Sequence, residues 1–194
     1  MPIASADKLP PDAKKTYLGR AKAFATMAHG GQTRVGSHDP YILHPTRVAL
    51  YAHIMGLSLD AVAAAYLHDV LEDTPTMAAD LFAFDFTART VWLVEALTKP
   101  RQRGALPPEM AKALKDSYYS IILDDAEAVA IKLLDRGDNC SELSKVLPEI
   151  DRRRAERYYA TTKTEFLLLR SACKNVYVVD LFDEGIRRLE KALV

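Results

Sequence analysis

Within residues 61–74, AVAAAYLHDVLEDT, four polar side chains interrupt an otherwise apolar run. His68 and Glu72 are spaced i,i+4, and so are Asp69 and Asp73, so a helix over this stretch gathers all four into one polar stripe. Two like-charged acids a turn apart repel by about 0.2–0.5 kcal/mol when exposed. Beside an apolar wall the cost rises, because unpaired buried charge is expensive. A divalent cation would offset it, and imidazole with carboxylate is a mixed N/O ligand pair suited to a metal of intermediate hardness. A lone His-Asp dipeptide also occurs on solvated helix faces, so the metal reading needs ligands from elsewhere in the chain.

Two other places offer them. His44 stands at a predicted helix start, and Asp135 sits inside an apolar helix. Two imidazoles and two carboxylates suit manganese, iron or zinc, with water in the open positions.

The elements that must position these groups are all helical. Residues 1–10 read as a loose leader stopped by Pro10-Pro11, and Tyr17, Ala21, Phe24, Ala25 and Ala28 keep helical spacing from Asp12 to about His29. Gly30-Gly31 ends that helix, and a Gly-, Ser-, Asp- and Pro-rich loop covers 31–43. His44-Pro45 opens a second helix running to Gly56, and Ser58 caps the central one, which ends at Thr74-Pro75. Further helices are predicted over about 76–82, 87–97, 108–123, 125–147, 149–170 and 174–192, with Val91, Trp92, Val94 and Leu97 as buried positions of the 87–97 helix. Gly137 in mid-helix costs about 1 kcal/mol against Ala, which predicts a bend or a close approach there. No alternating strand pattern, repeat or low-complexity tract is present, so the class is all-α, one domain over residues 1–194.

Composition excludes some partners. Lys+Arg and Asp+Glu both count 26, and a formal charge of zero argues against bulk binding to duplex nucleic acid or an anionic membrane, though not against a local basic pocket. Cys140 and Cys173 are too few for a disulfide framework, and no apolar run approaches the roughly 18 residues of a membrane span. The expected setting is the cytoplasm.

The segments AHGGQTR (28–34), PYILHPTRVA (40–49), AYLHDVLEDT (65–74), EALTK (95–99) and IKLLDRGDN (131–139) resemble, in order and spacing, the HD-domain hydrolases of the RelA/SpoT type. With no synthetase domain in the sequence, the free-standing small alarmone hydrolases are the nearest match. The resemblance, over roughly residues 20–160, implies an HD-domain helical bundle with a metal site in its centre. It implies removal of the 3′-pyrophosphate of ppGpp and pppGpp, giving GDP or GTP plus pyrophosphate. His44, His68, Asp69 and Asp135 then match the metal ligands, for Mn2+ in the family's usual form, and Glu72 and Asp73 match the catalytic acidic pair. A cation there acidifies water and neutralises phosphoryl charge, and the acidic pair can orient the water and take its proton. Arg34 matches a residue that packs against the base, Arg136 and Asn139 match residues beside the metal and the nucleoside, and Arg154 and Tyr158 resemble residues near the phosphates. Lys99 or Arg101 is expected to add positive charge.

Two departures from the family pattern stand out. Arg34 is followed by Val35 where Arg-Lys is frequent, in a loop one residue longer before Pro40. Leu-Asp-Arg-Gly-Asp-Asn replaces Ala-Asp-Arg-Leu-His-Asn, so Gly137 and Asp138 are expected to alter the wall near the nucleoside. Base preference is left open, with ppApp a further substrate to consider. Other readings are an HD-type nucleotide or NADPH phosphohydrolase and a non-catalytic alarmone-binding module, and a role as antidote to a toxic alarmone synthetase is a guess beyond them.

The remaining candidates have plainer readings. His38 and His53 fit the surface, His29 fits helix capping or loop support, Arg152 and Arg153 fit a solvated face, and Tyr118, Tyr119 and Tyr159 fit helix packing. Cys140 and Cys173 read as core fillers. The last helix, with Val176, Val179, Leu181 and Phe182, has an apolar face for the core or for a second subunit of a homodimer.

Overall fold

Side-chain oxygens ahead of apolar runs decide where most helices begin. The computed structural model describes residues 16–100, 104–147 and 150–194. Its helices are α1 (Tyr17–Ala28), α2 (Leu43–Ile54), α3 (Leu59–Leu67), α4 (Val70–Asp73), α5 (Ala78–Ala83), α6 (Ala88–Leu97), α7 (Pro108–Leu123), α8 (Ala126–Lys145), α9 (Arg152–Glu165), α10 (Leu167–Ala172) and α11 (Val176–Leu193). Thr16, Ser58, Thr87, Asp125, Asp151 and Asn175 each accept a hydrogen bond from an amide in the first turn that follows them. Among the described residues the only bridge of β type is an isolated antiparallel one, Thr33 with Pro40, which pinches the loop between α1 and α2. None of these helices is long and apolar enough to cross a membrane. The leader at 1–10, the Asp12 start of the first helix and Arg101 lie outside the described residues.

The buried helix α3 packs on α1, α2 and α6, and α8 packs along α11 while also touching α2, α3 and α7. Phe24, Leu67, Leu93, Ile131, Leu133 and Phe182 are fully buried between them. At the α8–α11 seam the backbones nearly touch. A Cβ on Gly185 would stand 2.2 Å from the Gly137 carbonyl oxygen, and one on Gly137 would stand 3.0 Å from Phe182 Cα. Glycine is what permits that approach, so Gly137 answers to α11. The expectation that it shapes the nucleoside wall is therefore wrong, because it faces the scaffold side of the helix.

Three further expectations are corrected. The single helix across 61–74 is instead α3 and α4, separated at His68-Asp69. The His68 ring takes the Ala65 carbonyl at 2.8 Å, a side-chain bond that competes with helix continuation, and Asp69 follows with φ −99° and ψ −7°. The helix expected over 149–170 is likewise divided at Phe166, whose buried ring turns in to stack on Phe182 at 6.1 Å. Trp92 is 39% exposed. Val91, Leu93, Val94 and Leu97 fill the inner face of α6, and Trp92 lies outside with the Arg89 guanidinium 5.2 Å from its ring.

Candidate metal centre and cleft

Each histidine of the centre is fixed through one ring nitrogen, leaving the other aimed inward. His44, fully buried on α2, donates from Nδ1 to Asp138 Oδ2 at 2.7 Å. Asp138 is held in turn by Arg47, whose Nε and Nη2 donate to its two oxygens at 2.7 and 2.9 Å. His68 donates from Nδ1 to Ala65. These bonds select the tautomer with a lone pair on Nε2. Both Nε2 atoms are buried and make no hydrogen bond.

Two carboxylates close on these lone pairs. His44 Nε2 lies 3.2 Å from Asp135 Oδ1 and 3.7 Å from Asp69 Oδ2, while His68 Nε2 lies 3.1 Å from Asp69 Oδ2 and 3.7 Å from Asp135 Oδ1. Ligand atoms of His44, His68 and Asp135 all lie within 4.8 Å of one another. Buried acceptor nitrogens without donors, facing carboxylate oxygens, are the donor set a divalent cation satisfies. These residues fit such an ion. The charges of these side chains also lean on each other. Burial works against the His68 imidazolium, yet Asp69 and Asp135 raise its pKa well above the usual value. Burial also works against both carboxylates, but His68 depresses Asp69, and Lys132 with the two histidines depresses Asp135.

The acidic pair sits at the rim. Glu72 accepts from Lys99 Nζ and from the Lys99 amide, both at 3.1 Å. Asp73 is raised above its ordinary value by burial and by Asp69. It is held twice, through its carbonyl by Gln32 Nε2 at 3.0 Å and through Oδ2 by the Tyr41 hydroxyl at 2.9 Å. The same hydroxyl lies 2.7 Å from Asp69 Oδ2. Beneath Tyr41 the His29 ring is stacked at 4.6 Å, and His29 bonds Gln32 at 2.9 Å. His29 therefore supports the loop, as expected, and burial lowers its pKa.

From this rim opens a cleft of about 370 Å3, lined by Tyr41, Lys99, Lys132, Arg136, Arg154 and Tyr158 among others. A smaller hollow of about 130 Å3 adjoins it, sharing Tyr41, Asn139, Arg154 and Tyr158 and walled by Arg34, Val35, Leu143 and Val146. Arg136 lies 3.6 Å from the centre of the Tyr158 ring and donates to Thr162 at 2.7 Å. Arg34 donates to Asn139 Oδ1, and Asn139 donates to Asp135 Oδ1 at 2.6 Å, so the first loop is tied to the centre.

Every expected site residue thus lines the centre, the cleft or the adjoining hollow, Arg34 only the last of these and Arg154 both openings. His38, His53, Arg152 and Arg153 are exposed, as their plainer readings had it. Asp138 is misplaced by the sequence reading: it stands behind His44, buried, and not in the nucleoside wall. Missed altogether were Tyr41, Gln32, Arg47 and Lys132. Lys132 and Asp138 did carry a signal, as charges inside an otherwise apolar stretch of α8. Tyr41 and Gln32, in an aperiodic loop, carried no periodic signal, only their place inside the segments 28–34 and 40–49.

A model of the HD domain family matches residues 21–161. The bifunctional (p)ppGpp synthase/hydrolase SpoT of Escherichia coli (strain K12) is 36% identical over 148 residues, 75% of this chain and 20% of that protein. The guanosine-3′,5′-bis(diphosphate) 3′-pyrophosphohydrolase of Aquifex aeolicus (strain VF5) is 37% identical over 129 residues, 65% of this chain and 18% of that protein. The chain therefore spans about a fifth of the length of these curated relatives. Among solved structures, a metazoan ortholog of SpoT that hydrolyzes ppGpp superposes with a TM-score of 0.71, covering 95% of this chain and 99% of that one at 24% identity, a likeness of fold.

Proposed function

The chain belongs to the HD-domain family, and we propose that it is a metal-dependent hydrolase removing the 3′-pyrophosphate of ppGpp and pppGpp to give GDP or GTP plus pyrophosphate. One observation carries the reading. Two anchored imidazoles and two carboxylates converge beside the Glu72–Asp73 pair, at the end of a cleft whose other walls present Lys132, Arg136 and Arg154. Lys99, Lys132, Arg136 and Arg154 gather in this cleft of a chain with no net charge, opposite the carboxylates of the centre, which suits a small anionic ligand bound together with a cation. The Aquifex aeolicus relative is a guanosine-3′,5′-bis(diphosphate) 3′-pyrophosphohydrolase, and the metazoan SpoT ortholog hydrolyzes ppGpp.

His44, His68, Asp69 and Asp135 would hold one Mn2+. When bound, the ion supplies Lewis acidity, making hydroxide available near neutral pH and drawing charge from phosphoryl oxygens. The chain's own groups do the rest. Asp73, held by Tyr41 and Gln32, takes the proton of the attacking water, its proton affinity having been raised by burial and Asp69. Oxygen of water bonds to the phosphorus next to the 3′ oxygen. The P–O3′ bond breaks, and a proton returns to the 3′ oxygen as the nucleotide leaves. Glu72, fixed on Lys99, orients the water from the other side. Arg136 and Arg154 face the phosphates. Arg34 packs against the base in the smaller hollow, with Asn139 between base and centre and Tyr158 beneath Arg136. Two unpaired cysteines fit a reducing cytoplasm.

The test is a product assay on purified protein with Mn2+ and, separately, ppGpp, ppApp and NADPH, resolved by anion exchange. GDP plus pyrophosphate from ppGpp is expected. ADP plus pyrophosphate from ppApp alone would move the substrate, and orthophosphate from NADPH alone would replace the reading with another phosphohydrolase.

A further inference from the structure

A buried lysine lies under the centre, and beyond its place in the cleft lining no step of the reaction above assigns it a part. Lys132 is 4% exposed, in the apolar first half of α8. Its ammonium stands 3.2 Å from Asp135 Oδ2 and 5.9 Å from the centre of the Tyr118 ring, and it lines the floor of the cleft. The Tyr118 hydroxyl donates to the Leu97 carbonyl at 2.8 Å, and the carboxylate paired with the ammonium is that of Asp135. An ammonium here is expensive twice over. It is desolvated, and it repels any cation in the adjoining centre. A leucine or methionine would fill the same space without either cost.

What the lysine does is divide the Asp135 carboxylate. Oδ1 accepts from Asn139 at 2.6 Å and faces the two imidazole Nε2 atoms at 3.2 and 3.7 Å, while Oδ2 is turned to Lys132. With Oδ2 occupied, Asp135 can offer the centre one oxygen only. The remaining positive charge faces the cleft between the centre and Arg136. We propose that Lys132 is a positioning residue of this site: it restricts Asp135 to a single oxygen toward the cation and sets a fixed positive charge beneath the arriving phosphoryl group, at the expense of cation affinity. The substrate half of this rests on the hydrolase reading above; the cation half does not.

The experiment is calorimetric titration of metal-stripped protein with Mn2+, followed by steady-state kinetics on ppGpp, for wild type, Lys132→Met, Lys132→Gln and Lys132→Arg. Lys132→Met should bind Mn2+ about tenfold more tightly, having lost the repulsion, while kcat falls about 10- to 100-fold because Asp135 is no longer held. Lys132→Gln, a neutral donor, should share the tighter binding and recover only the part of kcat that depends on holding Asp135, staying below Lys132→Arg because the charge beneath the phosphoryl group is gone. Lys132→Arg should keep the wild-type cation affinity. Weaker Mn2+ binding in Lys132→Met with an unchanged melting temperature would overturn the proposal, because the lysine would then be building the site. So would an unchanged kcat. If Lys132→Met does not fold, the Gln and Arg variants decide: equal affinities in the two overturn it. Wild type that binds Mn2+ yet releases no pyrophosphate would defeat the hydrolase reading, and the calorimetric comparison would still decide what Lys132 does to the cation.

Discussion

Along the cleft face of α8, Lys132, Asp135, Arg136 and Asn139 are charged or polar, and each has a partner: Asp135 one turn on for the lysine and, across the site, the imidazoles for Asp135, Tyr158 and Thr162 for Arg136, and Arg34 for Asn139. Along the face turned to α11, side chains vanish where the helices meet, and Gly137 and Gly185 let backbone lie on backbone. One face is arranged around a charge that it must offset, the other around a distance that it must keep. The fold and the chemistry of this helix should therefore fail separately, and substitutions on each face can break or sharpen that separation.

The largest expected effect is in the centre that the cleft face of α8 serves, at Asp69 between α3 and α4. Asp69→Ala removes a carboxylate from the centre without touching the seam, and activity should fall on the order of 10^3-fold or more, with the urea midpoint nearly unchanged. Retained activity would break the comparison at once. On the other face, Gly185→Val places carbon where the Gly137 carbonyl already stands. It should cost about 3 kcal/mol of stability by overpacking, read by urea unfolding, while the molecules that stay folded keep their turnover.

A subtler probe is Asp138→Asn, on α8 but touching neither face. It keeps the shape and loses the charge that orients His44 and pairs with Arg47. Cation affinity or kcat should drop about 10- to 100-fold, measured by Mn2+ titration. The smallest effect is at the start of the helix. Asp125 caps α8 and pairs with Arg89, and although burial opposes it, Arg89 and the Ala128 and Glu127 amides hold its carboxyl below the ordinary value. A carboxyl depressed in the folded state stabilises fully above its unfolded pKa and loses that contribution as pH falls through the folded one. Asp125→Ala should thus cost about 1 kcal/mol at pH 7, and the gap to wild type should narrow on acidification. A gap that stays constant down to pH 3 would deny the charge its part.

The same two faces mark how far the sequence could be read. His44, His68, Asp69 and Asp135 are legible because polar side chains within apolar runs are conspicuous, and their spacing resembles that of a family. Gly137 signalled a close approach but not its direction, since nothing local says which neighbour comes near. The break at His68-Asp69 was hidden because it arises from the ring's own bond to Ala65, where helical spacing predicted continuity. Trp92 shows the reverse error: large apolar surface suggested burial, but the inner face of α6 was already filled. Tyr41 and Gln32 act only once the loop has folded back on α4, a long-range contact that leaves no trace in local pattern.

The most direct measurement is pyrophosphate release from ppGpp by metal-stripped protein as Mn2+ is added back, with bound ion counted in the same samples. Activity should be absent at the start and rise in proportion to occupancy, reaching its plateau at one ion per chain. Release that does not depend on the cation, or orthophosphate as the product, would contradict the account.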